Sequence, residues 1–188
     1  MLVLKKSFLP VITLMLVILL LALAGCGSPT ATVAQSSAGQ SPAVARIDAC
    51  SLLTKADAEQ VLGKAVDEPT HPIQSEETFL VDSCEYRMTG ATAKEHAILT
   101  IVAPANGDLE TALKTFATGK QGAQAAYPST LPDLPGLGDS AYWVGGEGNS
   151  LMMMKGIMTV SLSVSTQKGE APSQAMLDLG KLVLGRLP

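Results

Sequence analysis

The chain has 188 residues and a formal net charge of −4, with 47% hydrophobic, 4% aromatic and 16% charged residues. The length suits one domain, or two small ones, and the acidic balance argues against an electrostatic nucleic-acid binder. The charged share is well under the roughly 25% of ordinary soluble domains, so the apolar excess has to be located first.

It sits at the start. Residues 1–25 hold no acid; Lys5 and Lys6 precede an apolar run from Phe8 to Ala24. About 17 apolar residues is the lower limit for a membrane span, and an uncleaved signal anchor is one reading. Leu23-Ala24-Gly25-Cys26, however, resembles the lipobox of bacterial lipoproteins. That resemblance implies cleavage before Cys26 and a diacylglyceryl group on its sulfur, with palmitate-type acylation of the new terminus. The small residues ahead of the cut fit a signal-peptidase pocket. Two or more acyl chains anchor stably where one does not, so the expected location is the extracytoplasmic face of a membrane. The 13 basic residues lose Lys5 and Lys6 with the signal, leaving 11 against 17 acids and a net charge of −6.

Residues 26–45 read as the lipidated cysteine and a flexible linker. From Gly27 to Ala45 there is no charge, no aromatic ring and no apolar period, so little can offset the entropy of ordering. Its span is roughly 25 Å by random-coil scaling. Residues 46–188 are expected to form a single extracytoplasmic domain. With Cys26 assigned to lipid, Cys50 and Cys84 remain as an even pair in an oxidising compartment, which points to a disulfide. Metal ligation by the two alone is the weaker alternative, since zinc wants four ligands.

Thr54, with Asp57 three residues on and Gly63 beyond Leu62, predicts a capped helix over 55–62. Asp108 opens a second helix, with Leu109, Ala112, Leu113 and Phe116 as its apolar face and Gly119 as its stop. Ser173 opens a third, whose stripe is Met176, Leu179, Val183 and Leu187. Strands are expected at 83–88 and 97–103, at 141–144, and as a hairpin of 149–155 and 158–165 turning at Lys155-Gly156, with an additional short strand at 79–81. Val160, Leu162 and Val164 alternate with Ser161, Ser163 and Ser165, the pattern of a half-buried antiparallel strand. The fold class is therefore α+β: an antiparallel sheet with helices packed on one side. Two tandem α-β-β-β halves followed by a C-terminal helix form a further hypothesis.

Asp48-Ala49-Cys50-Ser51-Leu52-Leu53-Thr54, Leu62-Gly63, Ser83-Cys84-Glu85-Tyr86 and Leu137-Gly138-Asp139-Ser140-Ala141 together resemble an uncharacterised family of secreted bacterial lipoproteins, common in actinobacteria and catalogued as a domain of unknown function. The likeness spans most of residues 47–188. It supports the lipoprotein address and the disulfide, and implies no activity.

Catalytic patterns are thin. His71 and His96 lie in polar stretches that read as surface. Neither a Gly-x-Ser-x-Gly elbow nor a complete phosphate loop occurs, and Gly136-Leu137-Gly138-Asp139 reads as a tight turn into a strand. Asp133, Asp139 and Glu147 lack the alternating oxygen ligands of a calcium loop. Thioethers suit soft metals, but alternation puts Met152 and Met154 on one face and Met153 on the other, so the methionines read as core or groove lining. Neither metal nor cofactor is expected. Tyr142 and Trp143 sit beside Gly145, Gly146 and Gly148, after a stretch from Lys120 to Gly136 read as loop. One reading buries one ring and exposes the other. The second makes Trp143, Tyr142, Met152 and Met154 the walls of an apolar ligand cleft. The functional expectation is a non-enzymatic, membrane-anchored module that binds or senses a small molecule or lipid. The alternative is an interaction subunit for a protein of the cell envelope.

Overall fold

The computed structural model describes residues 44–90, 95–127, 131–146, 149–167 and 169–188. The expected signal segment, Cys26 and nearly all of the linker lie outside the described residues. Among those described, no helix is long and apolar enough to cross a membrane.

The elements in chain order are α1 (Ala49–Leu52), α2 (Lys55–Leu62), β1 (Gln74–Glu76), β2 (Phe79–Arg87), β3 (His96–Pro104), α3 (Leu109–Ala126), β4 (Ser140–Val144), β5 (Ser150–Lys155), β6 (Met158–Val164) and α4 (Gln174–Arg186). The six strands form one antiparallel sheet in the order β1-β2-β3-β6-β5-β4. Two three-stranded meanders thus meet where β3 pairs with β6. The chain has the expected α+β class: α1, α2 and α4 gather on one face of the sheet over the main apolar core.

That core follows from the period of two along each strand. Cys84 on β2 stands level with Leu99, Leu162, Leu151 and Trp143 on the successive strands, and all five are fully buried. Val160, Leu162 and Val164 point into it while Ser161 and Ser163 stay half-buried on the opposite face. Helix α2 is capped as the sequence requires. The Thr54 hydroxyl accepts from the Asp57 amide, the Asp57 carboxylate accepts from the Thr54 amide at 2.9 Å, and Gly63 closes the helix at φ 72°. Helix α4 presents Met176, Leu179 and Val183, with Leu187 just beyond its end. It approaches β5 so closely that a Cβ on Gly180 would lie 2.7 Å from Leu151 Cδ2.

Two features depart from the sequence reading. Helix α3 does not stop at Gly119 but continues to Ala126, which takes the first seven residues of the long loop expected over 120–136. Ala123, Ala125 and Ala126 favour helix enough to carry two glycines, and Ala123 and Tyr127 have apolar contacts to gain. This helix also lies on the opposite face of the sheet from the others. There Ala112 and Phe116 pack on Tyr142, Val144 and Met154 in a smaller second cluster. Its apolar stripe is correspondingly narrow: Leu109 and Leu113 are about half exposed. The two meanders therefore carry their preceding helices on opposite faces. Short segments with little periodicity, α1 and β1, were not legible in the sequence, and the strand expected at 79–81 is the first third of β2.

Candidate functional site

The expected disulfide is present. Cys50 on α1 and Cys84 on β2 are joined, with Cα atoms 5.0 Å apart and a separation of 34 positions in sequence. It ties the first helix to β2, one strand in from the edge of the sheet. In the chain-entropy description a loop of this length contributes about 3–4 kcal/mol.

The residues expected to wall an apolar cleft are packed against protein. Trp143 is fully buried in the main core, where its indole N–H donates to the Gly169 carbonyl at 3.2 Å. Tyr142, Met152 and Met154 belong to the opposite face, under α3. Adjacent strand residues point to opposite faces, so Tyr142 and Trp143 cannot wall the same cleft. Both rings are buried, in place of one in and one out. Tyr142 meets Phe116 edge-to-face with centroids 5.2 Å apart and lies 5.7 Å from the Lys120 ammonium. Burial pushes the Tyr142 phenol above its ordinary range. Met153 faces the core and Met152 and Met154 the α3 side, as alternation predicts.

His71 is exposed, as the sequence suggests, and His96 is half-buried; each also meets a buried acid. His71 Nδ1 lies 3.2 Å from a carboxylate oxygen of Asp82, and His96 Nδ1 lies 4.0 Å from one of Glu85. Both acids are buried on β2, at 4% and 5% exposure. Arg46 and Gln74 also reach Asp82, while Arg87 grips Glu85 through two bonds of 3.0 Å. The signal for this lay in the apolar-polar mixture of Val81-Asp82-Ser83-Cys84-Glu85, which places two acids within one buried strand.

The His71 pair lies beside the disulfide. A ring nitrogen of His71, a carboxylate oxygen of Asp48 and the Cys50 sulfur all lie within 4.8 Å of one another. Asp48 also caps α1 by accepting from the Cys50 amide at 2.9 Å. With Cys50 held in the disulfide, the set is short of the four donors a zinc ion wants. It is instead a histidine oriented by a buried acid, next to a sulfur. Asp133 and Asp139 are engaged elsewhere: Asp133 pairs with Lys120, and Asp139 accepts from the Gly156 amide at 2.6 Å.

Two hollows bear on ligand binding. Between residues 44–47 and the β2–β3 pair at Leu80, Ile101 and Ala103 there is a void of about 10 Å³, room for one water at most. Between α2 and α4 runs an open groove of about 430 Å³ lined by Gln60, Val61, Ala175, Asp178, Leu179 and Leu182, with Asp57 at its base. Asp57 is held by Arg186, whose guanidinium donates to both its carboxylate oxygens and to the Leu52 carbonyl at 2.6 Å. Burial opposes ionisation of Asp57. The bonds from Arg186 and Thr54 outweigh it and hold the carboxyl below its ordinary range.

No family model, curated protein or solved structure matches the chain. The likeness to secreted lipoproteins therefore rests on its motifs alone.

Proposed function

We propose that the chain is an extracytoplasmic module, held on a membrane by lipid at Cys26, that serves as a non-enzymatic interaction subunit for an envelope protein. The observation that carries the choice of partner is the α2–α4 groove. Its lining is mixed: Val61, Leu179 and Leu182 are apolar, with Leu182 43% exposed, and Asp57, Gln60 and Asp178 are polar. With a net charge of −6 on the processed chain, the fitting occupant is a protein segment that carries apolar side chains and basic residues. A groove with apolar anchoring positions and acidic groups beside them suits a segment of that composition.

The small-molecule or lipid-binding reading has less support. Drug-sized ligands take pockets of roughly 300–1,000 Å³ that enclose most of their surface, and the four residues that were to line such a pocket are divided between two packed faces. The lipid address is inferred from Leu23-Ala24-Gly25-Cys26 and the apolar run before it.

Native mass spectrometry of the protein released from its own membrane is the test, with Leu182→Asp run in parallel. A protein that co-purifies with the wild-type chain and is lost with Leu182→Asp supports the reading. A small molecule retained by both forms overturns it in favour of ligand binding.

A further inference from the structure

We propose that the Cys50–Cys84 disulfide is an exchange site for a small amine-bearing thiol, with Cys50 Sγ the sulfur attacked and His71 the base. The two sulfurs are unequal. Cys84 is fully buried on β2, whereas Cys50 is only partly buried on α1. An incoming thiol therefore meets Cys50 alone. His71 stands within 4.8 Å of that sulfur, and its side chain is 35% exposed. With Nδ1–H donating to the buried Asp82 carboxylate at 3.2 Å, Nε2 is left as the basic nitrogen. The carboxylate of Asp48 completes the surroundings. It repels an anionic thiol and attracts one that carries an ammonium group. Arg46, which also reaches Asp82, is paired with Glu76.

The step balances without an outside oxidant. His71 Nε2 takes the proton of the incoming thiol, and the thiolate attacks Cys50 Sγ. A new sulfur–sulfur bond forms to Cys50 while the Cys50–Cys84 bond breaks, its electron pair passing to Cys84 Sγ. The proton then passes from His71 to Cys84, whose apolar surroundings favour thiol over thiolate. The products are a mixed disulfide on Cys50 and a buried, slowly nucleophilic thiol at Cys84. The assignment is independent of the α2–α4 groove.

The test exposes the folded protein to cysteamine or to 3-mercaptopropionate, quenches with acid, and follows adducts by intact mass and peptide mapping. The expected result is an adduct on Cys50, with a cysteamine preference several-fold larger than the two thiols show toward a small-molecule disulfide at the same pH. Loss of a positioned base is worth about 10²–10⁴-fold in general, so His71→Asn should slow cysteamine exchange at least tenfold with an unchanged circular dichroism spectrum. Asp48→Asn keeps the cap acceptor and should bring the preference down to the ratio the two thiols show toward a small-molecule disulfide. An adduct on Cys84 overturns the assignment, as do equal rates in wild type and His71→Asn. So does exchange that accelerates in step with global destabilisation in Arg186→Met, because the disulfide would then open only through unfolding.

Discussion

Arg186 fastens α4 to α1 and α2, and replacing it with methionine tests that role. Its guanidinium donates to the Leu52 carbonyl at 2.6 Å and to both oxygens of Asp57, with Nη2 to Oδ1 at 3.3 Å. The Asp57 side chain is 10% exposed and that of Arg186 is 30%. Hydrogen bonds to charged groups contribute about 1.5–3 kcal/mol each, and stranding one partner of a fully buried pair costs about 3–5 kcal/mol. Water at the guanidinium screens part of this, so Arg186→Met should lose about 2–3 kcal/mol at pH 7. Urea unfolding followed by circular dichroism measures it. Asp57 is held below its ordinary pKa in the folded chain. Its contribution is therefore complete above the unfolded value near 3.8 and is lost as the pH falls through the folded value. The difference between wild type and Arg186→Met should accordingly shrink below about pH 4. In the cycle with Asp57→Ala, the double variant should lose at least about 1 kcal/mol less than the two single losses combined. A loss under about 0.5 kcal/mol, or strict additivity, would refute the reasoning.

Other substitutions report on separate contacts. Cys50→Ala with Cys84→Ala should lower stability by about 3–4 kcal/mol, read from urea midpoints under non-reducing conditions. Gly138→Ala places a Cβ 2.3 Å from the Met154 carbonyl oxygen at a backbone φ of 67°; strain and crowding should cost about 2–3 kcal/mol, with thermal melting as the readout. Trp143→Ala empties the centre of the main core and should cost about 3–5 kcal/mol, a loss of stability without loss of partner binding. Cys26→Ser should abolish incorporation of labelled palmitate and move the protein from the membrane to the soluble fraction; labelling that persists would refute lipidation at Cys26.

The elements that were legible in the sequence are those where local chemistry and burial agree. Thr54 and Asp57 satisfy each other's backbone groups, so the start of α2 is written in four residues. The alternation through Val160, Leu162 and Val164 fixes which face of β6 is buried, because a slip of one residue would turn three apolar side chains to water. Helix α3 was misread for the opposite reason. Gly119 has the composition of a stop, yet only contacts distant in sequence decide whether the chain stops there. Its Cβ position lies 3.6 Å from the Tyr142 hydroxyl, so a small residue there lets the helix pass close over β4. The same long-range pairing concealed the site at His71. A histidine flanked by Thr70 and Pro72 looks solvated until β2 brings Asp82 beside it.

The low aromatic content explains why the expected ligand cleft closes. With only seven aromatic residues in 188 (one Trp, three Tyr, three Phe), the sheet has few large side chains with which to fill the space under its helices. Trp143 fills the main core, while Tyr142, one position earlier on the same strand, fills the second cluster with Phe116. Leu151 and Met153 then complete the first layer; Met152 and Met154, offset by one residue, serve the other, since methionine adapts to irregular gaps. A Tyr-Trp pair followed by a methionine run is thus the arrangement by which β4 and β5 supply two cores at once. Among the described residues, that arrangement leaves Ile73, Leu109, Leu113 and Leu182 as the large apolar side chains that packing has not covered.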